Sequence, residues 1–139
     1  MTGKTIGELS LGDSAFIEKT VSESDVYLYA GITCDFNPAH INEPEAAKGR
    51  FGRRVAHGML SAGFISAVLG TQLPGPGTIY LGQELKFTAP VYIGDTVRAV
   101  VTVEEIKVEK NLVRLKTTCV NQDGKTVVEG TATVMAPKA

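Results

Sequence analysis

The sequence lacks both an excess of charge of one sign and a cysteine framework. Its 14 Lys and Arg residues are matched by 15 Asp and Glu residues, so no basic field is present to hold nucleic acid or an anionic membrane surface. Cys34 and Cys119 form neither a CxxC motif nor a metal-ligand spacing, and Cys34 is interpreted as a small buried hydrophobic residue. The amino-terminal residues contain no apolar signal-peptide run. We therefore expect a cytoplasmic protein with reduced thiols that binds neither nucleic acid nor membranes.

Long hydrophobic runs are also missing. The longest apolar tract, from about Val55 to Gly70, contains polar residues and is shorter than the roughly 20 residues that a bilayer requires. Within this tract the apolar residues cover almost every helical face, which predicts a helix enclosed on most sides. The chain of 139 residues suits one domain, and no linker or repeat divides residues 1–139.

Five segments rich in β-branched residues predict strands. The first, Ser14 to Thr20, precedes a capping-box pattern at Ser22 that predicts a short helix. The other four follow an LPGPG turn, and the hairpin signal at Gln122 to Lys125 favours an antiparallel meander for the last three. A shift in the apolar alternation predicts a bulge near Glu104 and Glu105. The pattern indicates an α+β fold in which a five-stranded sheet curves around one apolar helix.

The long stretch from Gly31 to Arg54 is rich in helix breakers, and irregular segments of this length usually carry function. It holds Asp35 and His40, five residues apart with Pro38 between them. A turn containing proline can fold two such side chains toward one point, whereas on a continuous helix they diverge. A carboxylate and an imidazole can hold a water and move its protons near neutral pH, which suggests an acid/base dyad. An Asx turn beside a solvated histidine fits the same spacing.

A second candidate lies where the apolar helix begins. The N–H groups of a helix N-terminus are unpaired, and Gly58 has no Cβ to obstruct a ligand oxygen, so its amide is a candidate oxyanion donor. We interpret the neighbouring His57 as structural. Ser66 lies about 12 Å further along the helix axis and cannot share that site. Its hydroxyl is free either to support the dyad or to bond the carbonyl four residues back.

Basic residues and a possible ligand set lie between the dyad and the helix. The basic cluster consists of Lys48, Arg50, Arg53 and Arg54, which could bind phosphate groups or form a solvated rim. Two imidazoles and one carboxylate are formally present in Asp35, His40 and His57. Because no ligand spacing places these three on one face, we expect no metal.

Three segments, DFNPAH, VAHGML and LPGPGTIYLGQELKFTAPVYIGD, resemble the MaoC-like (R)-specific enoyl-CoA hydratases of the hot dog fold. The first matches the family motif D-x-N-P-x-H at every fixed position, and the similarity covers nearly the whole chain. The resemblance implies a five-stranded antiparallel sheet wrapped around a long central helix. It also implies a homodimer whose two sheets join edge to edge, with acyl-CoA bound near the subunit boundary.

The resemblance assigns a role to each candidate residue. It implies that Asp35 and His40 are the catalytic pair, Gly58 the oxyanion amide, Ser66 a supporting residue and Asn37 an organiser of the loop. The candidates for CoA phosphate contacts are Arg50, Arg53 and Arg54.

The implied activity is that of a hydro-lyase. Such an enzyme adds water reversibly and syn to a trans-2-enoyl-CoA, giving (R)-3-hydroxyacyl-CoA without a cofactor. An acyl-CoA thioesterase is the nearest alternative, although the spacing of Asp35 and His40 argues against it. A non-catalytic acyl-CoA or acyl-carrier binding protein is a third possibility.

Overall fold

A single antiparallel sheet of five strands forms the framework of the computed structural model, which describes residues 2–139. Its strands are Ser14–Thr20 (β1), Ile79–Phe87 (β2), Thr96–Lys107 (β3), Leu112–Val120 (β4) and Thr126–Met135 (β5). Their order across the sheet is β1-β3-β4-β5-β2, so β1 and β2 form its two edges. The predicted α+β class and the five-stranded antiparallel sheet are confirmed.

The last three strands form the predicted meander. Strand β3 pairs with β4 and β4 with β5, each antiparallel and joined by a short turn. The register between β3 and β4 shifts between Val103 and Glu105, which confirms the predicted bulge. Before the bulge, every second residue of β3 is buried, so that one face of the strand lies in the core.

Four α-helices within the described residues complete the fold: Glu23–Thr33 (α1), Pro38–Ile41 (α2), Glu43–Lys48 (α3) and Gly58–Thr71 (α4). The predicted capping box begins α1, where the Asp25 N–H donates to Ser22 Oγ at 3.1 Å and the Ser22 N–H donates to the Asp25 carboxylate at 2.9 Å. Helix α4 packs across the sheet and contacts all five strands, chiefly β3. No helix within residues 2–139 has both the length and the apolar character needed to cross a membrane.

Helix α4 is less enclosed than its composition predicts. Its buried residues form one stripe against the sheet: Ser61, Ile65, Val68 and Leu69. The opposite side, which includes Met59, Gly63 and Ser66, is exposed in the single chain. The prediction of a helix enclosed on most sides was therefore wrong for one chain, because no segment of residues 2–139 covers the side of α4 next to edge strand β2.

Candidate active site

The turn after α1 sets the position of Asp35. Helix α1 ends at Cys34, whose backbone is left-handed with φ 68°, so the chain changes direction immediately before Asp35. Cys34 is exposed, and the prediction that it is buried was wrong because it occupies this turn rather than the core. One carboxylate oxygen of Asp35 accepts the Asn37 N–H at 3.2 Å.

Asn37 and Pro38 begin a helix instead of breaking one. The Asn37 side chain caps α2 by accepting the Ala39 N–H at 3.0 Å, and Pro38 occupies the first turn, where a missing N–H costs nothing. The expected proline-containing turn is therefore corrected to a short helix. Because Asp35 precedes the cap and His40 lies within that helix, both side chains can face the same point.

The backbone next to α4 orients the His40 ring. His40 Nδ1 lies 2.7 Å from the carbonyl oxygen of Val55, and because a carbonyl only accepts, Nδ1 carries the proton. In the same place the Val55 N–H donates to the Ala39 carbonyl at 3.1 Å. Val55 also forms a bridge with Tyr92, which connects this segment to the rest of the protein. The remaining nitrogen, Nε2, therefore has a lone pair with which to accept a proton.

The fold brings three polar side chains together. One ligand-type atom from each of Asp35, His40 and His57 lies within 4.8 Å of the other two. A single water that makes two hydrogen bonds of about 2.8 Å spans a distance of this size. The Asp35 carboxylate is half exposed and His40 is partly buried, so water can reach the pair. The geometry thus allows the two groups to hold one water between them.

His57 is part of this cluster, although the sequence analysis interpreted it as structural and predicted no contact with Asp35 or His40. Its Nε2 lies 3.0 Å from the main-chain oxygen of Asp35 and 3.9 Å from Asp35 Oδ2. Its ring stacks on that of His40, with centroids 3.8 Å apart and planes inclined by 30°. No periodicity connects residues 35 and 57, so only the tertiary structure could place them in contact.

The same three side chains have the composition of a metal site. The sequence spacing indicated that they would not meet, which was wrong because the fold brings them together. Their arrangement supplies a different argument. Imidazole lone pairs lie in the ring plane, so stacked rings direct them side by side instead of toward one point. His57 Nε2 is also occupied by the Asp35 carbonyl. These two observations count against a shared cation, and the absence of a metal stays a prediction.

A cavity of about 440 Å³ lies beside the cluster, and its lining includes His40, Gly58 and Phe87. Gly58 is the first residue of α4, and its N–H has no backbone acceptor within residues 2–139. A Cβ at this position would lie 2.6 Å from Phe87 Cδ1, so only glycine fits without displacing that ring. Asp35 does not line the cavity but lies beside His40. Gly58, whose N–H has no backbone acceptor among residues 2–139, thus lines the same cavity as His40.

Ser66 lines a neighbouring cavity of about 460 Å³ instead. The two cavities share only Met59 and Phe87. The single chain therefore does not bring Ser66 to the dyad. Ser66 instead lines the second cavity, which lies between α4 and β2 on the other side of Met59 and Phe87.

The arginines of the basic cluster have different surroundings. Arg54 donates to Glu43 at 2.8 Å and to Glu23 at 2.5 Å, which ties α3 to α1. Hydrogen bonds to these carboxylates raise the pKa of the Arg54 guanidinium. The Arg53 guanidinium lies 3.8 Å above the centre of the Tyr92 ring, and Arg50 is exposed. Arg54 is thus already paired, whereas Arg50 and Arg53 have no carboxylate partner within residues 2–139.

A family model described as a MaoC-like domain matches residues 13–134. The (R)-specific enoyl-CoA hydratase of Rhodospirillum rubrum is 60% identical over 130 residues, which cover 94% of this chain and 90% of the relative. The 3-hydroxybutyryl-CoA dehydratase of Methylorubrum extorquens is 48% identical over 94% of this chain and 83% of its own length. Among solved structures, an unliganded R-hydratase from Pseudomonas aeruginosa is 46% identical with a TM-score of 0.93, covering 99% of this chain and 88% of that one.

Proposed function

Since the chain belongs to the MaoC-like domain family, we propose that it is an (R)-specific enoyl-CoA hydratase. Such an enzyme is a hydro-lyase that adds water reversibly to the double bond of a trans-2-enoyl-CoA. The product is an (R)-3-hydroxyacyl-CoA. No cofactor takes part in this proposal, because the water and the protons can be supplied by side chains of the chain itself.

The observation that supports this function best is the pairing of Asp35 with His40. Their polar atoms lie within 4.8 Å, the span of one bridging water. The Val55 carbonyl holds the proton on His40 Nδ1, so that Nε2 is the nitrogen that accepts a proton from this water. A water held by both groups on one side of the substrate accounts for syn addition, because the oxygen and the proton then reach the same face.

In the proposed mechanism the pair passes one proton of the water to the substrate. His40 Nε2 takes a proton from the water as the water oxygen bonds to C3 of the enoyl group. His40 passes this proton to the Asp35 carboxylate, and Asp35 gives it to C2, so that both side chains return to their starting states. Because both groups move the protons of one water, a pH–rate profile reports the pair and not either residue alone.

Negative charge builds on the thioester oxygen while C2 is enolate-like. We propose that the Gly58 N–H at the start of α4 donates to this oxygen, since it lines the same cavity as His40. A donor placed at such an oxygen typically contributes about 3 kcal/mol to the transition state. Ser66 lines the neighbouring cavity, on the other side of Met59 and Phe87. We propose that it supports the reaction by forming part of the wall against which the acyl chain binds.

Incubation with crotonyl-CoA tests this function directly. We expect the enoyl absorbance to fall without release of free thiol, and chiral analysis to identify the (R)-3-hydroxy product. Release of thiol would instead identify a thioesterase, and tight binding without turnover would identify a binding protein. Since the mechanism uses no metal, we expect dialysis against EDTA to leave the rate unchanged.

We further propose that the protein is a homodimer joined through strand β2. This edge strand begins with apolar residues that are exposed in one chain, Ile79, Tyr80 and Leu81. Charges that protect an edge from pairing are Glu18 and Lys19 in β1, whereas those of β2, Glu84 and Lys86, lie in the half of the strand that follows these apolar residues. A second copy that pairs with β2 would cover these apolar residues and the exposed side of α4 together.

Light scattering coupled to gel filtration tests the dimer. We expect twice the chain mass for the wild-type protein and the mass of one chain for Leu81→Lys, because the lysine would bury an unpaired charge in the interface. Val108→Lys is the matched control, since Val108 is an equally apolar and exposed residue outside β2. A wild-type protein that runs as a single chain, or a Leu81→Lys variant that stays dimeric, would contradict the proposed interface.

Arg50 and Arg53 are proposed to bind the phosphates of CoA, because neither has a carboxylate partner within residues 2–139. We expect the double variant Arg50→Gln, Arg53→Gln to raise KM for an enoyl-CoA about tenfold, the loss of roughly one charge-assisted contact. KM for the corresponding enoyl-pantetheine, which lacks those phosphates, should not change. Lys48→Gln is the control, since Lys48 already pairs with Glu45 at 3.0 Å. Equal changes in KM for both substrates would reject the assignment.

We also propose that the protein works in the cytoplasm. Cys34 and Cys119 are free thiols, a state that a reducing compartment preserves. Burial raises the pKa of Cys119 to about 12, so this thiol is unreactive at neutral pH.

A further inference from the structure

We propose that His57 is the positioning residue of the active site: its Nε2–H holds the main chain of Asp35 while its ring supports the ring of His40. This inference rests on the proposed function, because it concerns the geometry of the same dyad. His57 itself does not touch the reacting atoms in this proposal. It acts only through the two residues that do.

The first contact is the hydrogen bond between His57 Nε2 and the Asp35 carbonyl oxygen, at 3.0 Å. A carbonyl accepts and never donates, so the bond assigns the ring proton to Nε2. Asp35 follows the left-handed residue Cys34 and precedes α2, and its side chain is half exposed. The His57 bond is therefore a direct attachment of this exposed segment to the start of the central helix.

The second contact is the stack between the two imidazoles. The centroids of the His57 and His40 rings lie 3.8 Å apart, and those of the His57 and Tyr29 rings lie 4.7 Å apart with their planes inclined by 76°. His57 is only 3% exposed, whereas His40 is partly buried. A ring packed in this way is a fixed surface against which the His40 ring is held, while Val55 holds its Nδ1.

The third observation is the other nitrogen of His57. Nδ1 is buried and has no hydrogen-bond partner among the described residues. Leaving a buried polar atom unpaired costs free energy that an apolar side chain would avoid. His57 also forms no side-chain cap for α4, which excludes the usual structural reason for a polar residue at that position. The contact that only a histidine makes here is the one from Nε2 to Asp35.

Three substitutions separate this role from packing. In His57→Gln the amide nitrogen reaches the position of Nε2, in His57→Asn it reaches only the position of Nδ1, and His57→Phe keeps the ring without a donor. We expect His57→Asn and His57→Phe to lower kcat by about 30-fold or more, with KM within about threefold of the wild type, since small displacements of catalytic groups have effects of this size. His57→Gln should recover part of kcat relative to His57→Asn, because both variants lack the ring and only Gln places a donor at the position of Nε2.

A folded His57→Phe variant with the kcat of the wild type would overturn the proposal. So would a His57→Gln variant as slow as His57→Asn, because both variants lack the ring and they differ in whether the amide nitrogen reaches the Asp35 carbonyl. Thermal unfolding of each variant establishes that it is folded before its kinetics are compared.

The tautomers of the two histidines provide a test that needs neither a variant nor activity. We expect ¹⁵N correlation spectra of the wild-type protein at about pH 9, above the ordinary titration range of histidine, to show Nε2–H for His57 and Nδ1–H for His40. An Nδ1–H tautomer at His57 would overturn the proposal. Because this measurement does not depend on hydration, a failure of the proposed function in the crotonyl-CoA assay remains distinguishable from a failure of the positioning role.

Discussion

Replacing Asp35 by Asn is expected to lower kcat for enoyl-CoA hydration at least about 10²-fold. The amide oxygen of Asn can still accept the Asn37 N–H, as the carboxylate does at 3.2 Å, so the local turn should persist. Asn cannot take up and release the proton that the mechanism moves to C2. The loss should therefore be in kcat, measured with saturating crotonyl-CoA, and not in folding.

His40→Ala is expected to have an effect of the same size, because it removes the nitrogen that takes the proton from water. His40→Asn is the sharper variant, since its amide nitrogen takes the place of Nδ1 and can still donate to the Val55 carbonyl. The double variant with Asp35→Asn should be little slower than either single variant. Residues that act on one water as a unit do not contribute additively.

Ser66→Ala is the comparison for these dyad variants, because Ser66 lines the neighbouring cavity and not the one at His40. We expect it to lower turnover less than Asp35→Asn or His40→Ala does. Retention of nearly full hydratase activity in either dyad variant, with circular dichroism unchanged, would refute the catalytic assignment. A larger loss in Ser66→Ala than in the dyad variants would refute the proposed order of importance.

The second large effect is expected at Gly58, where proline removes the amide hydrogen without breaking the helix. Gly58 is the first residue of α4, a position that tolerates proline. His57 before it is extended, with φ −61° and ψ 135°, which is the conformation that a following proline requires. We expect kcat for Gly58→Pro to be about 10²-fold below that for Gly58→Ala, since the two variants share the added Cβ and differ in the N–H.

The added Cβ needs its own control, because at Gly58 it would lie 2.6 Å from Phe87 Cδ1. Both Gly58 variants should therefore be compared in the wild type and in a Phe87→Ala background, where this clash is absent. The expected ratio between alanine and proline should persist in that background. If the two variants have equal kcat there, the Gly58 N–H does not stabilise the oxyanion.

Most of the fold could be predicted because strands and helix caps are local patterns. The alternating residues of β3 expose one face and bury the other, and the point at which the alternation shifts, near Glu104, is where the structure has its bulge. The environment of α4 could not be predicted in this way. The apolar composition of α4 predicts that the chain itself encloses this helix. Enclosure also depends on where the sheet ends, and because the sheet ends at β2, one side of the helix stays open.

In the candidate site, too, the local sequence predicted some features and only the tertiary structure decided others. The residue types of DFNPAH determined that a carboxylate and an imidazole lie in one short segment, and Asn37 followed by Pro38 carried a helix-start signal that the sequence analysis took for a break. Only the tertiary structure decided which nitrogen of His40 is free, since the proton is held by the distant Val55 carbonyl. It also decided that Arg54 pairs with Glu23 and Glu43.

The sequence by itself determined the strands, the helix starts and the chemical groups of the dyad, because each depends on residues within a few positions of one another. The tertiary structure alone decided that His57 contacts both members of the dyad, 22 residues from Asp35 along the chain. It also separated Ser66 from them by placing it in another cavity. Such contacts depend on the packing of α4 against the sheet, and no local pattern of residues records the distance between two segments that meet only when the chain folds.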